Sequence, residues 1–160
     1  MSMTDRPIEV GIAQLIGINE AVGVNQFSAT TDLDLGQTYG DTTVRPVAGE
    51  VQSILLVSSA TGAPLEPTGW VFFFDADPNT ATGDVAISAA ERRTIIGQVE
   101  IVAADWDSDA TAASAYKALA VPFHDIRYLY TVFRNEGAAI NDAGGDDELI
   151  QINLWYRRDN

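Results

Sequence analysis

The run Trp70 to Phe74, WVFFF, puts an apolar side chain on both faces of any strand it forms, so it is stable only where both faces are covered. A helix is the competing conformation for so apolar a stretch. It is disfavoured because the run is short, aromatic and β-rich, and because Pro64, Pro67 and Gly69 precede it while Pro78 follows. A second dense run, Val51 to Ser58, lies across a Gly/Pro-rich turn. Strand alternation there predicts Val51, Ser53, Leu55 and Val57 on one face and Gln52, Ile54, Leu56 and Ser58 on the other. Each fully buried Phe or Val stabilises by roughly 1.5–3 kcal/mol, so this pair of runs is the expected centre of the core.

The rest of the chain repeats the pattern. Ile95 to Ile101, Tyr128 to Phe133 and Ile150 to Tyr156 read as strands, and Tyr116 to Val121 as a shorter one ended by Pro122. Ser88 and Glu91 have the spacing of a capping box, which predicts a turn or two of helix over Ala89 to Arg93. Ser28 to Val47 is polar and reads as connection. Six to eight strands with almost no helix predict an all-β fold, an antiparallel β-sandwich of jelly-roll-like or immunoglobulin type. A chain of 160 residues is long enough to bury such a core as one domain.

From Glu9 to Gln26 an aliphatic-Gly-aliphatic unit recurs three times, with Gly11, Gly17 and Gly23 six residues apart. The same period occurs in parallel β-helices, but three copies make too short a stack. Two readings remain. In the first, residues 1–36 are an N-terminal arm and linker preceding a sandwich of residues 37–160. The aliphatic side chains of Ile8, Val10, Ile12, Ile16, Ile18, Val22 and Val24 then dock on a partner. In the second, this stretch is the first strand of the domain's own sheet.

Charge and composition narrow the function classes. Nine basic against 23 acidic residues leave a net charge of −14, which repels nucleic-acid backbones and anionic lipid surfaces. There is no cysteine, which removes disulfides, thiolate metal sites and cysteine nucleophiles. The amino terminus does not read as a signal peptide and no apolar run approaches a membrane span, so a soluble product made in the cytoplasm is expected. His124 is the sole histidine, too few for a cupin metal site, and no Gly-x-Ser-x-Gly elbow accompanies it. No enzyme and no cofactor are expected. Asp75-Ala76-Asp77-Pro78-Asn79 and Asp105, Asp107, Asp109 open like EF-hand loops. Both lack the glycine at the sixth position and the glutamate at the twelfth, which leaves calcium as the one ion to test. Asp142, Asp146, Asp147 and Glu148 form another acidic cluster. Trp106 and Trp155 sit between polar neighbours where the alternation points outward, so they are candidates for exposed anchors of a sugar or protein partner. Packing within the second layer is the alternative for both.

The segment Val51 to Asp159 resembles the capsid decoration, or cement, proteins of tailed bacteriophages. The likeness lies in VQSILLVSS, GWVFFFDADPN, a loop and short helix leading to IIGQVEIVAADW, then YKALAVPF, YLYTVFRNEGA and ELIQINLWYRRD. It covers about two-thirds of the chain and consists of strand order and loop composition. The resemblance implies a jelly-roll or related β fold that binds the capsid exterior of a virion and reinforces contacts between major capsid protein subunits. It also implies self-association, often as a homotrimer, and no catalytic residues. A carbohydrate-binding β-sandwich module of a phage adsorption apparatus is the alternative, which Trp106 or Trp155 and the acidic loops would suit.

Overall fold

The computed structural model describes residues 8–18, 21–39, 43–59, 65–140 and 149–159. Among the described residues nearly all the regular structure is strand, and the strands form two antiparallel sheets, so the protein is an all-β sandwich. The strands are β1 (Ile8–Ile18), β2 (Gln26–Phe27), β3 (Thr31–Asp34), β4 (Gln37–Tyr39), β5 (Thr43–Arg45), β6 (Val47–Ser59) and β7 (Gly69–Phe74). After helix α1 (Ala89–Arg92) come β8 (Ile95–Ile101), a single 3-10 turn at Ala103–Asp105, β9 (Trp106–Ser108), β10 (Ala112–Ile126), β11 (Tyr128–Asn135) and β12 (Leu149–Asp159).

One sheet has the order β1-β12-β6-β10-β9. The other runs β2-β11-β7-β8, with β3 beside β2 on the same edge of β11, and β4 and β5 form a separate hairpin. Let β2 and β3 count as one strand, and leave out β9 and the hairpin. Numbered in chain order, the first sheet then pairs first with last, last with third and third with sixth. The second pairs second with seventh, seventh with fourth and fourth with fifth. Between the sheets lies one continuous core that includes Ile54 and Leu56 of β6, Phe73 of β7, Phe123 of β10, Phe133 of β11 and Leu154 of β12.

The two-sided demand of Trp70 to Phe74 is met in two ways. Val71 and Phe73 point into the inter-sheet core, while Phe72 and Phe74 point outward and join Phe27, Ile87 and Val132 in a second buried cluster. That outer cluster is an aromatic ladder, with the Phe72 ring 6.2 Å from Phe27 and 6.4 Å from both Trp70 and Phe74. Its cover is a strap, residues 75–88, which contributes Ile87. The strap is laced to the chain before β3. Phe27 N donates to Asp84 O (2.8 Å), Gly83 N to Phe27 O (2.9 Å), and Thr80 Oγ1 to Ser28 O (3.1 Å). The strap's far end enters α1 through the expected capping box, with Ser88 N donating to Glu91 Oε2 (2.7 Å) and Glu91 N to Ser88 Oγ (3.2 Å).

Three expectations require correction. The first concerns the amino-terminal stretch. β1 pairs along β12 from Ile8 opposite Asp159 to Ile18 opposite Ile150, so it is a strand of the first sheet rather than an arm free of the domain. Val22, Phe27 and Leu35 are at most 1% exposed, so the boundary after residue 36 cuts through the folded unit. The sequence signal was ambiguous because an aliphatic-Gly repeat is compatible with docking on any apolar surface, including the chain's own. The second concerns β6. An extra residue lies between Val51 and Ser53, opposite the adjacent pair Tyr156 and Trp155, and this bulge reverses the alternation. Val51 therefore shares the core with Ile54 and Leu56, while Leu55 and Val57 are half-buried outside it. The third concerns Pro122, which does not end its strand. β9 pairs with β10 only over Ala113–Ala115, so further along β10 is the edge of its sheet. The missing Pro122 N–H is tolerated there, and the strand continues to Ile126.

Two features lock the end of β11. Asn135 is fully buried. Its Nδ2 donates to Ala138 O (2.9 Å) and Val22 O (3.2 Å), while its Oδ1 accepts from Gly137 N (3.1 Å), tying the segment after β1 to the segment after β11. Gly69, at φ +154°, lets β7 start against β11, since a Cβ there would lie 1.9 Å from Arg134 O.

Candidate functional site

The outer faces of the two sheets differ. On the β2-β11-β7-β8 sheet the strap covers the cluster around Phe72 and Phe74, whereas on the other sheet the middle of the outer face carries uncharged side chains, most of them partly exposed although Ser53 is buried. Cross-strand register aligns Ser114 with Val57, Tyr116 with Leu55, and Ala118 with Ser53 and Trp155. Strand pleating places these seven on one side, opposite Ala113, Ala115, Ile54, Leu56 and Leu154, which are buried in the core. Tyr116 is 60% exposed, the most exposed aromatic among the described residues.

At the β9 edge this face opens into a shallow depression of about 280 Å³, lined by Val57, Ala112, Ala113, Ser114, Asp107, Ser108 and Asp109. Asp107 pairs with Ser114 across β9 and β10, so its carboxylate rises beside the serine. Tyr116 lies two residues further along the same face, about 7 Å away. The tight turn joining β9 to β10 is held by Asp109, whose Oδ1 accepts from Thr111 N (2.7 Å), Thr111 Oγ1 (2.8 Å) and Ala112 N (3.0 Å). These donors hold the Asp109 carboxyl below the usual carboxylate range.

The residues expected to bind a partner are dispersed. Val22 is completely buried and makes a two-bond bridge to Ile140, so it is unavailable to a partner. Val24 is 53% exposed, on a turn beside Asn25. Ile8, Val10, Ile12, Ile16 and Ile18 are backbone members of β1. Trp106 is half-buried, packs on the edge of the core and donates its indole N–H to Pro67 O (2.9 Å), so it is a structural residue and not an exposed anchor. Trp155 is half-buried on the outer face, in the row next to Tyr116. Sequence reasoning did not single out Tyr116, and it considered Asp107 only as a calcium ligand in the Asp105, Asp107, Asp109 series. The available signal was a lone aromatic in a run of Ala and Ser, out of phase with the apolar positions Leu119 and Val121.

The acidic stretches serve local structure. Asp77 Oδ1 accepts from Asn79 N (2.7 Å), an Asx turn, and Asp105 Oδ2 accepts from Val102 N (2.8 Å). Among the described residues no three His, Asp or Glu side chains converge as a metal site. Asp142, Asp146, Asp147 and Glu148 lie outside the described residues.

Asp105 also pairs with Lys117, the only lysine, at 2.9 Å. Burial pushes its carboxyl up, but the Val102 N–H and the Lys117 ammonium outweigh this and hold it below the ordinary carboxylate value. A depressed folded-state pKa gives stability that is fully present above the unfolded pKa, near 4, and is lost as pH falls through the folded value. Asp105→Asn should therefore lower the melting temperature at neutral pH, and its deficit should shrink steadily below about pH 4. Thermal melts of both proteins across this range check the prediction, and a deficit independent of pH contradicts it.

Comparison with models of known protein families and with curated protein sequences returned no match to this chain.

Proposed function

We propose that the protein is a structural component of a tailed-bacteriophage virion, a cement or decoration protein bound to the capsid exterior. On this reading it reinforces contacts between major capsid protein subunits, associates with further copies of itself, and carries out no chemistry. The observation that carries it is the strand order. Pairing of first with last and last with third in one sheet, and of second with seventh and seventh with fourth in the other, is the wiring of two nested Greek keys. That supports a jelly roll, the fold the sequence resemblance implies. The −14 charge suits an outer surface facing away from packaged nucleic acid.

The test is co-sedimentation of the purified protein with heads of the phage that encodes it, prepared without this protein. Saturable binding, with density at symmetry-related positions in an electron-microscopy map, is the expected result. Heads that pellet bare at micromolar protein contradict it. The exposed Tyr116 ring favours a second reading, the carbohydrate-binding module of an adsorption apparatus, and a glycan array separates the two.

A further inference from the structure

We infer that the depression between β9, β10 and β6, with the Tyr116 ring beside it on the same face, is a site for a neutral disaccharide, Asp107 and Ser114 supplying polar contacts to the ring in the depression and Tyr116 the stacking platform for the next ring. The site sharpens the carbohydrate reading and holds whether or not the protein binds a capsid. Three observations carry it.

The first is chemical. A sugar ring offers an apolar C–H face and a rim of hydroxyls, and the site offers the matching pair. Tyr116 is 60% exposed, Val57 and Ala112 are apolar lining, and the Asp107 carboxylate with the Ser114 hydroxyl can accept from adjacent hydroxyls.

The second is size. The depression, about 280 Å³, is near the lower end of small-ligand sites, suited to one ring with a second passing over Tyr116.

The third is rigidity and charge. Thr111 and Ala112 fix the Asp109 turn, and the Trp106 bond to Pro67 anchors β9 from beneath, so the walls are set before a ligand arrives. Asp107 and Asp109 beside the depression, in a chain of net charge −14, exclude carboxylated, sulfated or phosphorylated sugars.

The experiment is a titration of the full chain, followed by NMR shift changes and calorimetry. One panel holds neutral disaccharides (cellobiose, maltose, mannobiose and chitobiose) and a second holds their uronate or sialylated counterparts. At least one neutral sugar should bind in the millimolar range or tighter, with shifts centred on Ser114 to Tyr116. Tyr116→Ala should weaken it about tenfold, Tyr116→Phe should retain most of it, and Asp107→Asn should weaken it severalfold. Both side chains are exposed, so melting temperatures should stay unchanged and separate lost binding from lost fold. The inference is overturned by no neutral binding at about 10 mM, by binding indifferent to Tyr116→Ala, or by preference for the anionic panel. It is equally overturned if Tyr116→Ala changes only the sedimentation coefficient, which would assign the face to a second copy. Head binding unaffected by Tyr116→Ala leaves the capsid reading intact even where the sugar site fails.

Discussion

A chain that begins at Ser28 is expected to lose its cooperative thermal transition. The deletion removes β1 and leaves β12 with an unpaired edge. It also removes Val22 and Phe27, which are 0% and 1% exposed. Burial of those two side chains alone contributes about 3–6 kcal/mol, a large part of the 5–15 kcal/mol that holds a typical domain together. Loss of Val22 further leaves the Ile140 backbone and one Asn135 donor without their partners, each at a cost of about 1–3 kcal/mol. Circular dichroism melts of the shortened and full chains decide the matter. A shortened chain that keeps its β spectrum and nearly its full melting temperature would show that β1 is a detachable arm and would overturn this topology.

Phe73→Ala should destabilise by about 3–5 kcal/mol, measured by chemical denaturation. Phe73 is fully buried in the main core, from which it faces the opposite sheet, and it pairs with Thr131 of β11 and Gly97 of β8. Neither neighbour can swell into the vacated space, since Gly97 has no side chain and Thr131 is buried with its hydroxyl unpartnered. The site should collapse poorly, which puts the cost at the upper end of the range. Phe72→Ala, although one residue away, tests the outer cluster instead. The strap over it is joined to the sheet by hydrogen bonds and can settle inward, so its cost should be the smaller of the two. If Phe72→Ala proves the more damaging, the outer ladder and not the inter-sheet layer is the main source of stability.

What was legible in the sequence was what depends on local pattern. The runs around Leu56, Phe73, Val99, Val132 and Leu154 all lie in strands, and the Ser88–Glu91 capping box starts the helix where its spacing predicts. What was not legible depends on neighbours distant in the chain. β2 is only two residues long and β3 is short and mostly polar, and they are strands because the edge of β11 offers them partners. The phase reversal in β6 comes from a bulge defined by β12, and Pro122 is tolerated because β9 ends before reaching it. The candidate site was hidden for the same reason. Asp107 and Tyr116 come together only when β9 folds back on β10, while Trp106, the more conspicuous aromatic, is turned inward by a bond to a carbonyl 39 residues away.

First-with-last pairing also constrains how the molecule is made. β1 is synthesised long before β12, the strand it pairs with, so during translation its backbone donors and acceptors have no native partner. β6, at the centre of the same sheet, waits for both β10 and β12. Within its own sheet β1 is paired through β12 alone. Closure of the first sheet is therefore a late event of high sequence separation, slow by its topology, and the nascent chain carries an open aliphatic strand until its last strand emerges from the ribosome.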